Sequence, residues 1–94
     1  MAPVTRRRTK AYFEWAAAHL PYSSKEETLP NGVFVEACGR QLTGGQVQLF
    51  IGIYTADGEL VLEDYTENVQ EMTVAEAIDW GFDRGRSVGN SQKF

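Results

Sequence analysis

Apolar and polar positions alternate most regularly between Gln46 and Tyr54. Val47, Leu49, Ile51 and Ile53 fall on one side, and Gln48, Phe50, Gly52 and Tyr54 on the other. A two-residue period predicts a strand with one buried face. Val33–Leu42 and Glu59–Thr66 read as strands on either side of it. Thr43, Gly44 and Gly45 supply the first turn, and Thr55, Ala56, Asp57 and Gly58 the second. Asp-Gly is a strong hairpin signal because it accepts the positive φ angles such turns need. Three strands joined by two short turns predict an antiparallel meander.

The period changes to 3.6 residues at both ends of the chain. From Thr9 to Leu20, Phe13, Ala16, Ala17 and Leu20 form one apolar stripe, with Thr5 or Thr9 as the cap. Pro21 ends that helix by disfavouring α geometry in the residue before it. Tyr22–Asn31 is polar and runs into Pro30, Asn31 and Gly32, so it reads as a loop. Thr73 and Glu76 match a capping box and open a second helix, on which Val74, Ala77, Ile78, Gly81 and Phe82 share a face. Gly85 or Gly89 is the expected stop, and residues 87–94 the expected flexible tail. The order is therefore α-β-β-β-α, an α+β fold: a three-stranded antiparallel meander sheet packed on two helices. Both helices are expected on the Val47/Leu49/Ile51/Ile53 face, leaving the face with Phe50, Tyr54 and Tyr65 more exposed. Residues 1–94 form a single domain, with 1–8 a basic flexible arm.

Charge changes the picture more than composition does. The net charge is −4, but Arg6, Arg7, Arg8 and Lys10 stand in the first ten positions. From Ala11 onward five basic residues face thirteen acidic ones, a net of −8. No Lys or Arg occurs between Gln41 and Asp83, a stretch that carries Asp57, Glu59, Glu63, Asp64, Glu67, Glu71, Glu76, Asp79 and Asp83. Such segregation bears on partners and association rates.

Little else in the chain carries chemistry. The single Cys38 allows no internal disulfide and fits a reducing cytoplasm. His19 and Cys38 cannot make a four-ligand zinc site within one chain. His19, just before Pro21, reads as a helix-end residue rather than a general base. Gly44-Gly45 lacks the residues of a phosphate loop. Adjacent Glu63 and Asp64 point to opposite sides of a strand and make a poor acid/base pair. The expectation is a non-enzyme without cofactor or metal. No apolar run reaches the roughly 20 residues that cross a bilayer, and no signal peptide is read.

The α-β-β-β-α order resembles the double-stranded RNA-binding domain. That family places lysines at the start of its last helix, across phosphates; here Glu71, Met72, Thr73, Val74, Ala75 and Glu76 stand there, and carboxylates would repel RNA. By size and by its nine carboxylates the chain is similar to small phage or mobile-element proteins that block bacterial defence, the anti-CRISPR and anti-restriction proteins, several of which mimic DNA. That resemblance implies a protein-binding inhibitor that enters a basic nucleic-acid channel of a defence complex in the bacterial cytoplasm. Glu76, Asp79 and Asp83, about 4.5 and 6 Å apart along a helix, with Glu63 and Glu67, would supply charge, and Trp80 and Tyr65 the anchors. The alternatives are a nucleic-acid binder using Arg6, Arg7, Arg8 and Lys10, and an antitoxin-like partner module. The latter rests on the β-β-β-α part with Thr73, Glu76 and Ala77, which is similar to HicB-type antitoxins.

Overall fold

Three hairpin turns with one shared geometry organise the sheet. In each, an amide donates to a carbonyl four residues on, and a glycine closes the turn: Leu29 N to Val33 O (2.8 Å) with Gly32, Leu42 N to Gln46 O (2.8 Å) with Gly45, and Thr55 N to Glu59 O (2.8 Å) with Gly58. All three glycines lie in the left-handed region, with φ of 86° to 89°. A side chain there would meet the following carbonyl oxygen. The computed structural model describes residues 13, 15, 16 and 21–92.

Three turns connect four strands: β1 (Ser23–Thr28), β2 (Phe34–Gln41), β3 (Val47–Tyr54) and β4 (Leu60–Thr66). They form one antiparallel sheet in the order β1-β2-β3-β4. One helix, α1 (Val74–Asn90), follows. The observed order is β-β-β-β-α, which corrects the expected α-β-β-β-α arrangement with a three-stranded sheet. The segment expected as a loop supplies β1, an edge strand of mostly exposed residues that pairs Ser23 with Gly39 through Thr28 with Phe34. The order that carried the likeness to the double-stranded RNA-binding domain is therefore not the order found. Of the expected N-terminal helix, Phe13, Trp15 and Ala16 are helical; its other residues lie outside the described ones.

The first core lies between the sheet and α1. Val35 and Ala37 of β2 and Val47, Leu49, Ile51 and Ile53 of β3 meet Ala77, Ile78 and Phe82 of α1. The helix does not stop at Gly85 or Gly89. It runs to Asn90 with both glycines on its buried side, so residues 87–90 are helix rather than tail. Asn31, in the β1–β2 turn, donates from Nδ2 to the Gly89 carbonyl (2.9 Å) and accepts from the Val33 amide (3.1 Å). It thereby adds a side-chain donor to a C-terminal carbonyl that also accepts from the Gln92 amide (3.3 Å).

The opposite face of the sheet is not exposed either. Phe50 and Tyr54 are fully buried, which corrects the expectation that they are the more exposed residues and that both helices lie on the other face, whereas Tyr65 is exposed as expected. Trp15 packs here with Cys38 and Phe50, on the side away from α1. The Arg40 guanidinium stacks 3.7 Å from the centre of the Trp15 ring. It donates from Nε to Gln48 Oε1 (2.7 Å) and from Nη1 to the Trp15 carbonyl (2.8 Å). A buried cation is tolerable when its donors are used and its flat face lies on an aromatic ring. The centre of the sheet is thus covered on both sides.

Candidate functional site

The seven residues expected to form a partner-binding surface are divided by the sheet. Glu63 and Tyr65 belong to β4 and sit opposite Gly52 and Phe50, on the face turned away from α1. Glu63 accepts from the Tyr54 hydroxyl (3.0 Å). Tyr65 is 40% exposed and meets Trp15 edge-on at 5.9 Å. Glu76, Asp79, Trp80 and Asp83 lie on the outer side of α1, over the other face. Glu67 follows β4 as an exposed residue. No one plane holds all seven.

Nor is the outer side of α1 uniformly acidic. Asp79 pairs with Lys25 of β1 at 3.6 Å, and Arg86 pairs with Glu27 of β1 at 3.6 Å. Trp80 is 46% exposed, with the Arg84 guanidinium 5.9 Å from its ring centre. Of the three helix carboxylates, Asp79 is thus paired with a cation, and Arg84 and Arg86 stand on the same helix. Exposed pairs such as these contribute little to stability, and they place positive charge beside Asp79.

Glu76 has a second occupation. Its amide donates to Thr73 Oγ1 (3.1 Å), and its carboxylate accepts from the Thr73 amide (3.1 Å). The two bonds complete the capping box that the sequence predicts. The Thr73 backbone amide, and then the Thr73 side chain, hold the Glu76 carboxyl below the ordinary carboxylate range. Thr73→Ala is expected to cost about 1 kcal/mol, measured by urea unfolding. A lowered folded value makes the ionised box stabilising above the unfolded glutamate value of about 4.3, and this contribution is lost as pH falls through the folded value. Glu76→Gln keeps a hydrogen-bonding partner but cannot titrate. The stability gap between wild type and Glu76→Gln should therefore narrow on acidification below about pH 4. A gap that stays constant from pH 6 to pH 3 would contradict the assignment.

The acid-only region lies elsewhere, along one margin of the molecule. It starts at the β3–β4 turn with Asp57 and Glu59, follows edge strand β4 with Glu63 and Asp64, and continues through Glu67 and Glu71 to Glu76 at the start of α1. Of the described cations, Lys25 is on β1 and Arg40 on β2, while Arg84 and Arg86 lie further along α1, eight and ten residues beyond Glu76. Among the described residues Asp57, Asp64, Glu67 and Glu71 make no ion pair. The margin ends in an open groove of about 720 Å³ between the β2–β3 turn and the 68–76 connection. Val47, Val69, Met72 and Val74 line it, and Glu71 and Glu76 stand among the lining residues. Glu71 has φ of 60°, a left-handed conformation that is uncommon for a residue with a side chain. The sequence showed Glu71 as one of a run of carboxylates and as the residue that opens the stretch before the last helix, with no sign of a groove. Charge on an edge strand also serves folding, because it discourages pairing with another sheet.

No group of three or more His, Cys, Asp or Glu able to hold a metal exists among the described residues. Cys38 is buried. His19, Arg6, Arg7, Arg8 and Lys10 lie outside the described residues. No helix among the described residues is long and apolar enough to cross a membrane. Comparison of the chain with protein-family models, curated proteins and solved structures finds no match.

Proposed function

We propose that this protein is a non-enzymatic binding protein whose acidic margin engages a basic surface on a protein partner. A nucleic-acid-binding channel of a bacterial defence complex, lined with Lys and Arg to hold phosphates, is the partner class it fits. Occupying that channel makes the protein an inhibitor. One observation carries the reading: six carboxylates from Asp57 to Glu71 lie on edge strand β4 and the connections either side of it, a stretch with no Lys or Arg. Duplex DNA offers one negative charge about every 1.7 Å of axis, and a compact carboxylate margin competes for the same cations. Complementary fields of this kind act first on the rate of encounter, by about 10 to 1000-fold, and weaken with salt.

The test is inhibition of DNA cleavage by a panel of purified restriction and RNA-guided nucleases. The expected result is inhibition of at least one enzyme, with potency falling at least tenfold between 50 and 300 mM salt, on the order expected for displaced phosphate contacts. In a gel-shift assay the protein alone should retard neither duplex DNA nor duplex RNA. Retardation without inhibition would favour the nucleic-acid-binding alternative and defeat this reading.

A further inference from the structure

The groove at the end of the acidic margin is held at both ends. The Val69 amide donates to the Val47 carbonyl (2.8 Å), and Gln46 Nε2 donates to the Glu67 carbonyl (2.8 Å). Both bonds tie the connection after β4 to the β2–β3 hairpin. The Thr73–Glu76 capping box fixes the other end, where the connection enters α1. A concave surface fastened in this way needs little rearrangement to receive a guest. Its volume of about 720 Å³ lies within the ordinary range of binding sites.

Floor and rim differ in chemistry. Val47 is buried, and Val69, Met72 and Val74 are half-buried against the main core while they line the groove. Met72 has an unbranched, polarizable side chain that adapts to the shape of what it meets. Glu71 and Glu76 are exposed at the rim. No Lys, Arg or His is among the described residues that line it. An apolar floor asks for an apolar side chain, and a rim of one sign asks for the opposite charge.

We propose that this groove takes an apolar side chain of a protein partner that is flanked by Lys or Arg. The side chain fills the floor of Val69, Met72 and Val74, and the flanking cations meet Glu71 and Glu76. This rests on the acidic margin being the binding surface, and it gives that surface an anchor point. Two other occupants fit less well. Sites for small molecules enclose most of their ligand, whereas this groove is open. A second copy of the chain is opposed by the net charge of −4 that each copy carries. Its exposed Trp80 stands between Asp79 and Asp83, whose carboxylates would face Glu71 and Glu76.

Three short peptides, titrated into the full-length chain at low salt and followed by its amide NMR signals, test this. One has lysines around a central leucine, the second lysines around a central serine, and the third glutamates around a central leucine. The lysine–leucine peptide should shift the signals of Val47, Val69, Met72 and Ala75. It should bind at least about tenfold more tightly than the lysine–serine peptide, the ratio expected for burying one leucine. The glutamate peptide should shift none of these signals. Ala75→Trp fills the groove from an exposed position and should weaken the lysine–leucine peptide about tenfold while leaving the lysine–serine peptide within twofold. Equal binding of the two lysine peptides overturns the proposal and leaves the acidic margin standing. Binding by neither overturns it as well, and the nuclease assay then judges the margin by itself. Binding of the glutamate peptide at these signals overturns the choice of a basic guest. The same shifts on raising the protein concentration without peptide would make a second copy the occupant and overturn it too. Should Ala75→Trp fail to fold, the peptide comparison on the wild-type chain decides.

Discussion

Gly85→Leu is expected to cost about 3 kcal/mol or more and to lower the unfolding midpoint by roughly 15 °C. Helix α1 presents Gly81, Gly85 and Gly89 to the sheet at four-residue intervals, the spacing that keeps them on one side. A Cβ at Gly85 would stand 2.6 Å from Val35 Cγ1, and one at Gly89 2.7 Å from Leu29 Cδ1. Val35 is fully buried on β2, and its β-branched side chain has little rotamer freedom with which to yield. Larger side chains must therefore lift the helix and open the core along its length. Gly85→Ala is a finer probe. Alanine gains about 1 kcal/mol of helix propensity, yet the contact forces a shift that overpacking makes costlier, so a net loss of about 1 kcal/mol is expected. Thermal unfolding followed by circular dichroism measures both. An unchanged midpoint for Gly85→Leu would mean that the helix does not approach the sheet so closely.

Phe50→Ala is expected to be as damaging, at about 3–5 kcal/mol, although Phe50 is remote from α1. Its ring is fully buried, lies 6.3 Å from that of Trp15, and shares a cluster with Cys38. Removing it leaves a cavity between the sheet and Trp15, and loosens the ring on which Arg40 stacks. The indole emission should move to longer wavelength as water reaches Trp15, while Trp80, already 46% exposed, contributes a constant background. A Phe50→Ala protein with the stability and emission of wild type would mean that this face is open. A total stability of about 5–14 kcal/mol is typical of a chain this long, so either substitution removes a large part of it.

The features that were legible in the sequence are those with one buried face and a strong local signal. Strands β2, β3 and β4 follow from alternation between turns, and the Thr73–Glu76 box from its spacing. Strand β1 escaped because Ser23–Thr28 buries neither face fully and so carries no apolar period. Its signal was the Pro30-Asn31-Gly32 turn, which has the same geometry as the Asp57-Gly58 turn. Gly85 and Gly89 read as helix stops because glycine favours C-caps; close approach to Val35 and Leu29 is a tertiary demand that local pattern does not announce. The cover over Phe50 and Tyr54 was invisible for the same reason. Arg40 and Gln48 stand in phase with Cys38 and Phe50, and only the stacking of Arg40 on Trp15 lets that face be buried.

The charge distribution was half legible. The sequence isolates the stretch without Lys or Arg, but it does not reveal that β1 brings Lys25 and Glu27 beside α1. Those pairings turn the expected acidic helix into a mixed surface. They move the acidic surface to β4 and the connection that follows it.

Two charge-reversal variants test that displacement most directly. One carries Asp64→Lys, Glu67→Lys and Glu71→Lys on the margin, and the other Asp79→Lys and Asp83→Lys on the helix. Each is compared with wild type for inhibition of the same nuclease at 50 mM salt, after circular dichroism has matched their folds. The margin variant should lose inhibition by at least 100-fold and the helix variant by less than fivefold. Full inhibition by the margin variant, or loss confined to the helix variant, would contradict the placement of the binding surface.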